Sequence, residues 1–237
     1  MTDTPASPRV ASGVPELDAL IEGGLPANRV TLVVGDAGAG KTTFALQFLA
    51  EGHARGEPGI FIALDEKPAH IAEAAARFGW PISTETSSPV LLLDGSPALS
   101  LMRQRQHAID ARAVMADLVP HIRARGARRL VIDALPALVP PELTHAEEEE
   151  FFRDLVFGLE DNAGCTTVVV TADADARAAR ISAVATRLVT GVIDLRAREV
   201  DARLRRFVLV RKMRATAANP AEREFEIGPS GVVMRQV

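Results

Sequence analysis

Tyrosine is absent from this chain of 237 residues, and tryptophan and cysteine occur once each. The lone Cys165 excludes an internal disulfide, and within the apolar run at 165–170 it reads as a buried thiol without a redox role. Nine phenylalanines and one tryptophan are the only large rings, so stacking platforms for unpaired bases are scarce. No apolar run approaches the roughly 18 residues of a membrane span. The opening MTDTPASPRV has neither the basic start nor the apolar stretch of a signal peptide, and a cytoplasmic protein off the membrane is expected. Lysine is nearly missing too: of 27 basic residues only Lys41, Lys67 and Lys212 are not arginine, which makes those three positions notable. The five histidines, at 53, 70, 107, 121 and 145, form no i,i+4 pair and no constellation with carboxylates, so no zinc or iron site is expected. A net charge of −4 argues against a nucleic-acid coat.

What is present is a globular composition, 47% hydrophobic with 24% charged residues. Nearly continuous apolar runs at 29–35, 59–64, 90–94, 129–133, 166–171 and 191–195 read as strands buried on both faces. Helical spacing fills 42–55, 68–78, 108–125 and 146–162, with Pro120 expected to kink or shorten the third of these. Alternating strand and helix imply an α/β fold, a mostly parallel central sheet flanked by helices. After Gly191 only strands follow, at 202–211, 223–227 and 231–235, which implies a C-terminal antiparallel β extension at one sheet edge. With no internal repeat and no low-complexity linker, a loose tail at 1–9 and a single domain at 10–237 are expected.

The first strand runs directly into Gly35-Asp36-Ala37-Gly38-Ala39-Gly40-Lys41-Thr42-Thr43, which satisfies G-x-x-x-x-G-K-[ST] and opens a helix. Such glycines let backbone N–H groups curl around phosphates, the helix N-terminus adds partial positive charge, and Lys41 reaches the outer phosphates. The Thr42 hydroxyl is suited to Mg²⁺. Asp133, ending the strand RLVID, stands where a Walker B aspartate holds that metal. Asp65 and Glu66 end the second strand, where a carboxylate orients or deprotonates the attacking water. Neighbouring strand residues point to opposite faces, so one of the pair faces the γ-phosphate; the other reading is that both cap the helix beginning at Pro68.

Together these residues resemble the RecA-type P-loop ATPases, and more closely their KaiC-like branch. The likeness runs from about Arg9 to the C-terminus. It rests on the lead-in VASGVPELDALIEGGLP at 10–26, the Walker A loop, FALQFLAEG on the first helix and IFIALDEKP at the second strand. It implies a RecA-like fold, ATP as the nucleotide, and a catalytic base drawn from the tandem carboxylates matched by Asp65 and Glu66. The usual first glutamate is aspartate here, one methylene shorter, so slow hydrolysis or a transfer of the role to Glu66 is implied. Ala134 replaces a common serine after the Walker B aspartate, which would weaken coupling to neighbouring loops, and Thr171 matches a polar sensor near the γ-phosphate. Lys212-Met213-Arg214-Ala215-Thr216 resembles K-x-R-G-[ST], whose cations reach nucleotide held by the adjacent subunit of a ring. Ala215 stands for its glycine.

Charge is segregated along the chain. Residues 133–175 hold eleven acidic and one basic residue, whereas 176–214 hold eleven basic and three acidic. Either copies meet head to tail, acidic face on basic face, or the acidic run is a solvated helix start and the arginines decorate exposed strands. The reading that unites these features is a Mg²⁺-dependent ATPase working as a homo-oligomeric, hexameric switch with a regulatory protein partner. Two rivals stand beside it. A recombinase-type DNA ATPase would use 172–186 with Arg177 and Arg180 as its DNA loop, a poor phosphate track. A self-phosphorylating kinase would need a Ser-Thr pair near Thr186-Arg187, where only the threonine is present.

Overall fold

The computed structural model describes residues 8–97, 100, 110–172 and 175–235. Most of the expected tail, His107, the start of the helix expected from 108, and residues 173–174 of the suggested DNA loop lie outside them. Arg9 does not belong to a tail: it opens β1 (Arg9–Val10), which pairs antiparallel with β2 (Leu25–Pro26) around α1 (Pro15–Leu20). There follow β3 (Val30–Gly35), α2 (Lys41–Ala54), β4 (Gly59–Ala63), α3 (Pro68–Ala76), β5 (Ile82–Ser83) and β6 (Val90–Asp94). Next come α4 (Ala111–Arg125), β7 (Arg129–Asp133), α5 (His145–Gly158), β8 (Thr166–Val170) and α6 (Ala176–Leu188). The chain finishes with β9 (Gly191–Val200), β10 (Arg203–Met213), β11 (Arg223–Gly228) and β12 (Gly231–Met234).

Ten strands form one sheet in the order β12-β11-β10-β9-β3-β8-β7-β4-β6-β5. From β9 to β5 every neighbouring pair is parallel, and β9 to β12 are joined antiparallel, as the late strand-only pattern implies. Successive residues feed opposite cores. Leu32, Leu130 and Val192 face α4, α5 and α6, while Val33, Val131 and Ile193 face α1, α2 and α3. β3 and β8 are buried at every position, which is why they read as unbroken apolar runs.

Helix ends follow local chemistry. Asp110 and Asp175 cap α4 and α6, and Thr144 with Glu147 forms a capping box on α5. α4 keeps all fifteen residues despite Pro120. Burial of Leu118 and Ile122 on either side of the proline holds the helix where propensity alone would shorten it.

Part of the segregated charge meets inside the chain. Glu148 on α5 is buried and receives both arms of Arg180 on α6, at 2.9 and 2.8 Å. Arg187 pairs with Glu149, whereas Glu160 pairs with Arg29, outside the basic stretch. The two stretches therefore touch where α5 and α6 pack side by side, while arginines on β9 and β10 such as Arg198 and Arg205 pair instead with Glu222 and Glu224.

The β9–β10 turn places Asp201 and Ala202 at φ 52° and 57°, the mirror-image turn that matches strand twist but suits glycine. A left-handed alanine costs about 1 kcal/mol. Ala202→Gly is therefore expected to raise Tm by about 2–4 °C in a chain of this size, read by thermal unfolding; an unchanged or lower Tm would contradict the assignment of strain to this turn.

Candidate functional site

β3 runs buried between β8 and β9 and ends at Gly35, where φ is +148°. A Cβ there would stand 1.8 Å from the Leu195 carbonyl oxygen on β9, so only glycine passes. The loop is then pinned on several sides. Asp36 accepts from Arg196 at 3.0 Å and from the Ala197 backbone N–H at 3.3 Å. Ala39 is buried and donates its N–H to Asp36 O at 3.2 Å, while Ala37 and Gly38 stand exposed at the crest. The Gly38 carbonyl accepts from Arg206 Nε at 3.1 Å, and a Cβ on Gly40 would lie 2.8 Å from Ile227. Arg196, Arg206 and Ile227 shape the loop from β9, β10 and β11. Sequence reading missed them because only the register brings them near; the arginine-rich hairpin was the available signal.

Lys41 curls into its own loop, donating to the carbonyls of Gly35 at 2.9 Å and Asp36 at 2.6 Å. Thr42 and Thr43 are half-buried in the first turn of α2. The Thr42 hydroxyl donates to Asp133 Oδ2 at 2.8 Å, joining the helix start to the end of β7 as the motif implies. Burial pushes the Asp133 carboxyl up to about 6; the Thr42 hydrogen bond and the Lys41 charge oppose the rise, and Asp65 and Glu66 add to it. The peptide joining Asp133 to Ala134 is cis.

β4 lies beside β7, and Leu64 N–H donates to Asp133 O at 2.7 Å, so the exposed Asp65 and Glu66 emerge next to this cluster. The two have different neighbours. Asp65 lines a cavity of about 490 Å³ with Ser96, Ala137, Val139, Glu142 and Arg177, whereas Glu66 lies 3.9 Å from His70 on α3. Thr171 follows the neighbouring strand β8 directly, and its buried hydroxyl shares a 3.1 Å hydrogen bond with Ser182 of α6. The suggested DNA loop is mostly the helix α6. Arg177 donates to Val139 O at 2.7 Å and Arg180 pairs with Glu148, so both arginines have partners within the chain.

Lys212 and Arg214 are not brought to the loop. Met213 pairs with Gly191, itself opposite Thr31 at the start of β3, while the loop follows Gly35, opposite Leu195. Four residues of strand, about 13 Å, separate the two levels. Lys212 Nζ donates to Thr186 O at 2.8 Å and Arg187 O at 3.1 Å, and Arg214 to Arg187 O at 2.9 Å, so both cations sit on the C-terminal carbonyls of α6. Burial and the nearby Arg214 charge lower the Lys212 pKa. The side chain of Met213, which the motif would place among the nucleotide-contacting residues, is buried against Gly191 in the core. Ala215 does adopt a positive φ, 52°, so glycine suits this backbone better. Thr216 turns its hydroxyl to Arg214 O at 3.1 Å. Cys165 is buried, its thiol pushed up to about 12, and takes no part.

A sequence model described as ATPase: KaiC matches residues 10–236. The chain belongs to the KaiC ATPase family. The UPF0273 protein PH0284 of Pyrococcus horikoshii is 28% identical over 236 residues, covering 95% of this chain and 93% of that protein. The circadian clock protein KaiC3 of Synechocystis is 30% identical over 98% of this chain but only 46% of its own length. The crystal structure of the KaiC-like protein PH0186 from P. horikoshii superposes with a TM-score of 0.78 at 31% identity, covering 97% of this chain and all of that one. The fold is therefore that of the RecA-like P-loop ATPases, with the KaiC-type β extension.

The raised Asp133 pKa makes this KaiC-family site a cost to the nucleotide-free protein. The folded chain holds a proton that the unfolded chain has released between pH 3.8 and about 6. Stability is therefore lost as pH rises through that window, by at most about 3 kcal/mol. Asp133→Asn retains an oxygen for Thr42 and removes the charge. It is expected to raise the Tm of the nucleotide-free protein at pH 7.5 by several degrees, with the gain over wild type vanishing by pH 4; a Tm lowered equally at every pH would contradict this.

Proposed function

We propose that the protein binds ATP with Mg²⁺ on the 35–43 loop and hydrolyses it slowly, as a homo-oligomeric nucleotide-state switch, hexameric by family likeness, that acts on a regulatory protein partner. The observation that carries the reading is the 2.8 Å hydrogen bond from Thr42 to Asp133, with Lys41 held inside the adjoining loop. An aspartate whose ionised form is penalised by burial, next to a hydroxyl, is an all-oxygen donor pair suited to a hard cation. Thr42 and Asp133 would hold Mg²⁺, which when bound neutralises phosphate charge.

The remaining chemistry belongs to the chain's own residues. Backbone N–H groups of the loop and the start of α2 receive phosphate oxygens. Lys41 exchanges two carbonyls for the outer phosphates. Asp65, beside the Asp133 strand end, takes the proton of the attacking water; it is shorter than the family glutamate, and a misplacement of about 1 Å costs roughly 100-fold in rate. Glu66, directed toward His70, is the second candidate.

Assembly is supported by the placement of Lys212 and Arg214 far below their own loop. Cations so placed serve phosphates only if those are carried by another copy, in a head-to-tail arrangement that closes a ring. Neither rival gains from the structure: Arg177 and Arg180 have partners within the chain, and the residue after Thr186 is an arginine without a hydroxyl.

The test is phosphate release from purified protein with ATP and Mg²⁺. Slow release, lost in Lys41→Ala, reduced about 100-fold or more in Asp65→Asn and only mildly in Glu66→Gln, is expected, with single-stranded DNA leaving the rate unchanged. Strong stimulation by DNA would overturn the switch in favour of a DNA-handling ATPase. Loss of activity confined to Glu66→Gln would move the base to Glu66.

A further inference from the structure

The Lys212–Thr216 strand end is fastened to the lead-in segment by a carboxylate clamp that no motif announces. Glu22, at φ 59° just after α1, uses both carboxylate oxygens: Oε2 accepts from Arg9 at 3.0 Å and Oε1 from the Ala217 N–H at 3.2 Å. Arg9 also donates to Ala215 O at 3.3 Å, and Asn219 N–H reaches Leu20 O at 3.3 Å. The clamp thus grips the chain on both sides of Thr216, immediately beyond Lys212 and Arg214, at the left-handed residue Ala215. Arg9 is nearly buried, whereas Glu22 is about half exposed, so the bond contributes little to global stability. Its consequence is directional. An alanine at φ 52° is not held there by its own preference, so the turn just beyond the two cations is set by what grips it from outside, while Lys212 stays paired with β9 and the Arg214 N–H donates to Thr190 O at 3.0 Å.

We propose that Glu22, with Arg9, is a positioning residue for Lys212 and Arg214, fixing the angle at which those cations meet the phosphates of nucleotide bound by an adjacent copy. The inference rests on the trans role given above and names the groups that aim it. Glu22 therefore serves the neighbour's site and not its own. Its loss leaves a subunit able to hydrolyse ATP but unable to assist the next one.

That asymmetry supplies the test. Glu22→Ala and Arg9→Ala proteins are compared with wild type for phosphate release, for affinity toward a fluorescent ATP analogue and for thermal unfolding. The expected result is a rate lowered about tenfold or more, as misaimed charges imply, with analogue affinity and Tm close to wild type. Each variant is then coexpressed with Lys41→Ala, which binds no phosphate but carries an intact clamp and intact cations. Mixed assemblies are expected to recover several-fold in rate per Glu22→Ala subunit, because the inactive copy assists the active one. The double variant Lys212→Ala/Arg214→Ala, mixed with Lys41→Ala in the same way, is the control. Recovery in the control with a wild-type rate for Glu22→Ala alone, or with a lowered rate that mixing does not restore, would overturn the clamp and leave the trans cations standing. No recovery in the control would overturn both.

Discussion

Everything at the phosphate loop depends on one close approach, that of the Gly35 backbone to the Leu195 carbonyl of β9. Because no side chain fits between them, β3 can stay paired with β9 to its last residue and then turn abruptly. The turn sends Asp36 across to Arg196 and Ala197 and leaves four residues to reach the first turn of α2. A bulkier residue at 35 would have to push β9 away, and with β9 would go β10 and β11, which carry Arg206 and Ile227 against the same loop. The C-terminal extension is thus part of the site and not an appendage to it.

The helix that begins at Lys41 is located from both ends. At its start Thr42 meets Asp133, the last residue of β7. Further along, Arg129, the first residue of that strand, is fully buried and donates to Phe48 O and Ala11 O at 2.7 Å each, to Glu57 at 2.7 Å, and lies over the Phe48 ring. Gly52 is where the helix makes room for it, since a Cβ there would come within 2.4 Å of the arginine Cδ. Gln47, on another side of the helix, holds Gly13 O and both backbone groups of Val232. Buried charges and amides of this kind contribute direction more than stability, since their desolvation offsets much of what their hydrogen bonds gain. One strand and one helix, joined at two levels, fix the distance between the phosphate loop and the carboxylate that would share its metal.

Much of this was legible in the sequence, for reasons that differ by region. The loop and the ends of β4 and β7 were readable because phosphate chemistry constrains residue type at fixed spacing, and the parallel strands because burial on both faces leaves an apolar run. α6 was passed over because its face toward the core is alanine, isoleucine and valine at 178, 181, 184 and 185, a weak signal in so alanine-rich a chain, and because its arginines suggested a loop. Met213 shows that a motif position does not say which way a strand residue points: its side chain enters the core. The pairing of Glu148 with Arg180 and of Glu22 with Ala217 was out of reach, since sequence separations of 32 and 195 residues leave no local pattern. Charge segregation was visible, but its meaning depended on two helices packing side by side.

The central claim is that Thr42 and Asp133 form the metal half of a nucleotide site. Its most direct test is the equilibrium affinity for ATP, measured by calorimetry with and without Mg²⁺, in wild type and in Asp133→Asn. Mg²⁺ is expected to tighten ATP binding to the wild type and to have little effect on the variant, while metal-free affinities stay alike. Equal tightening by Mg²⁺ in both proteins would contradict it.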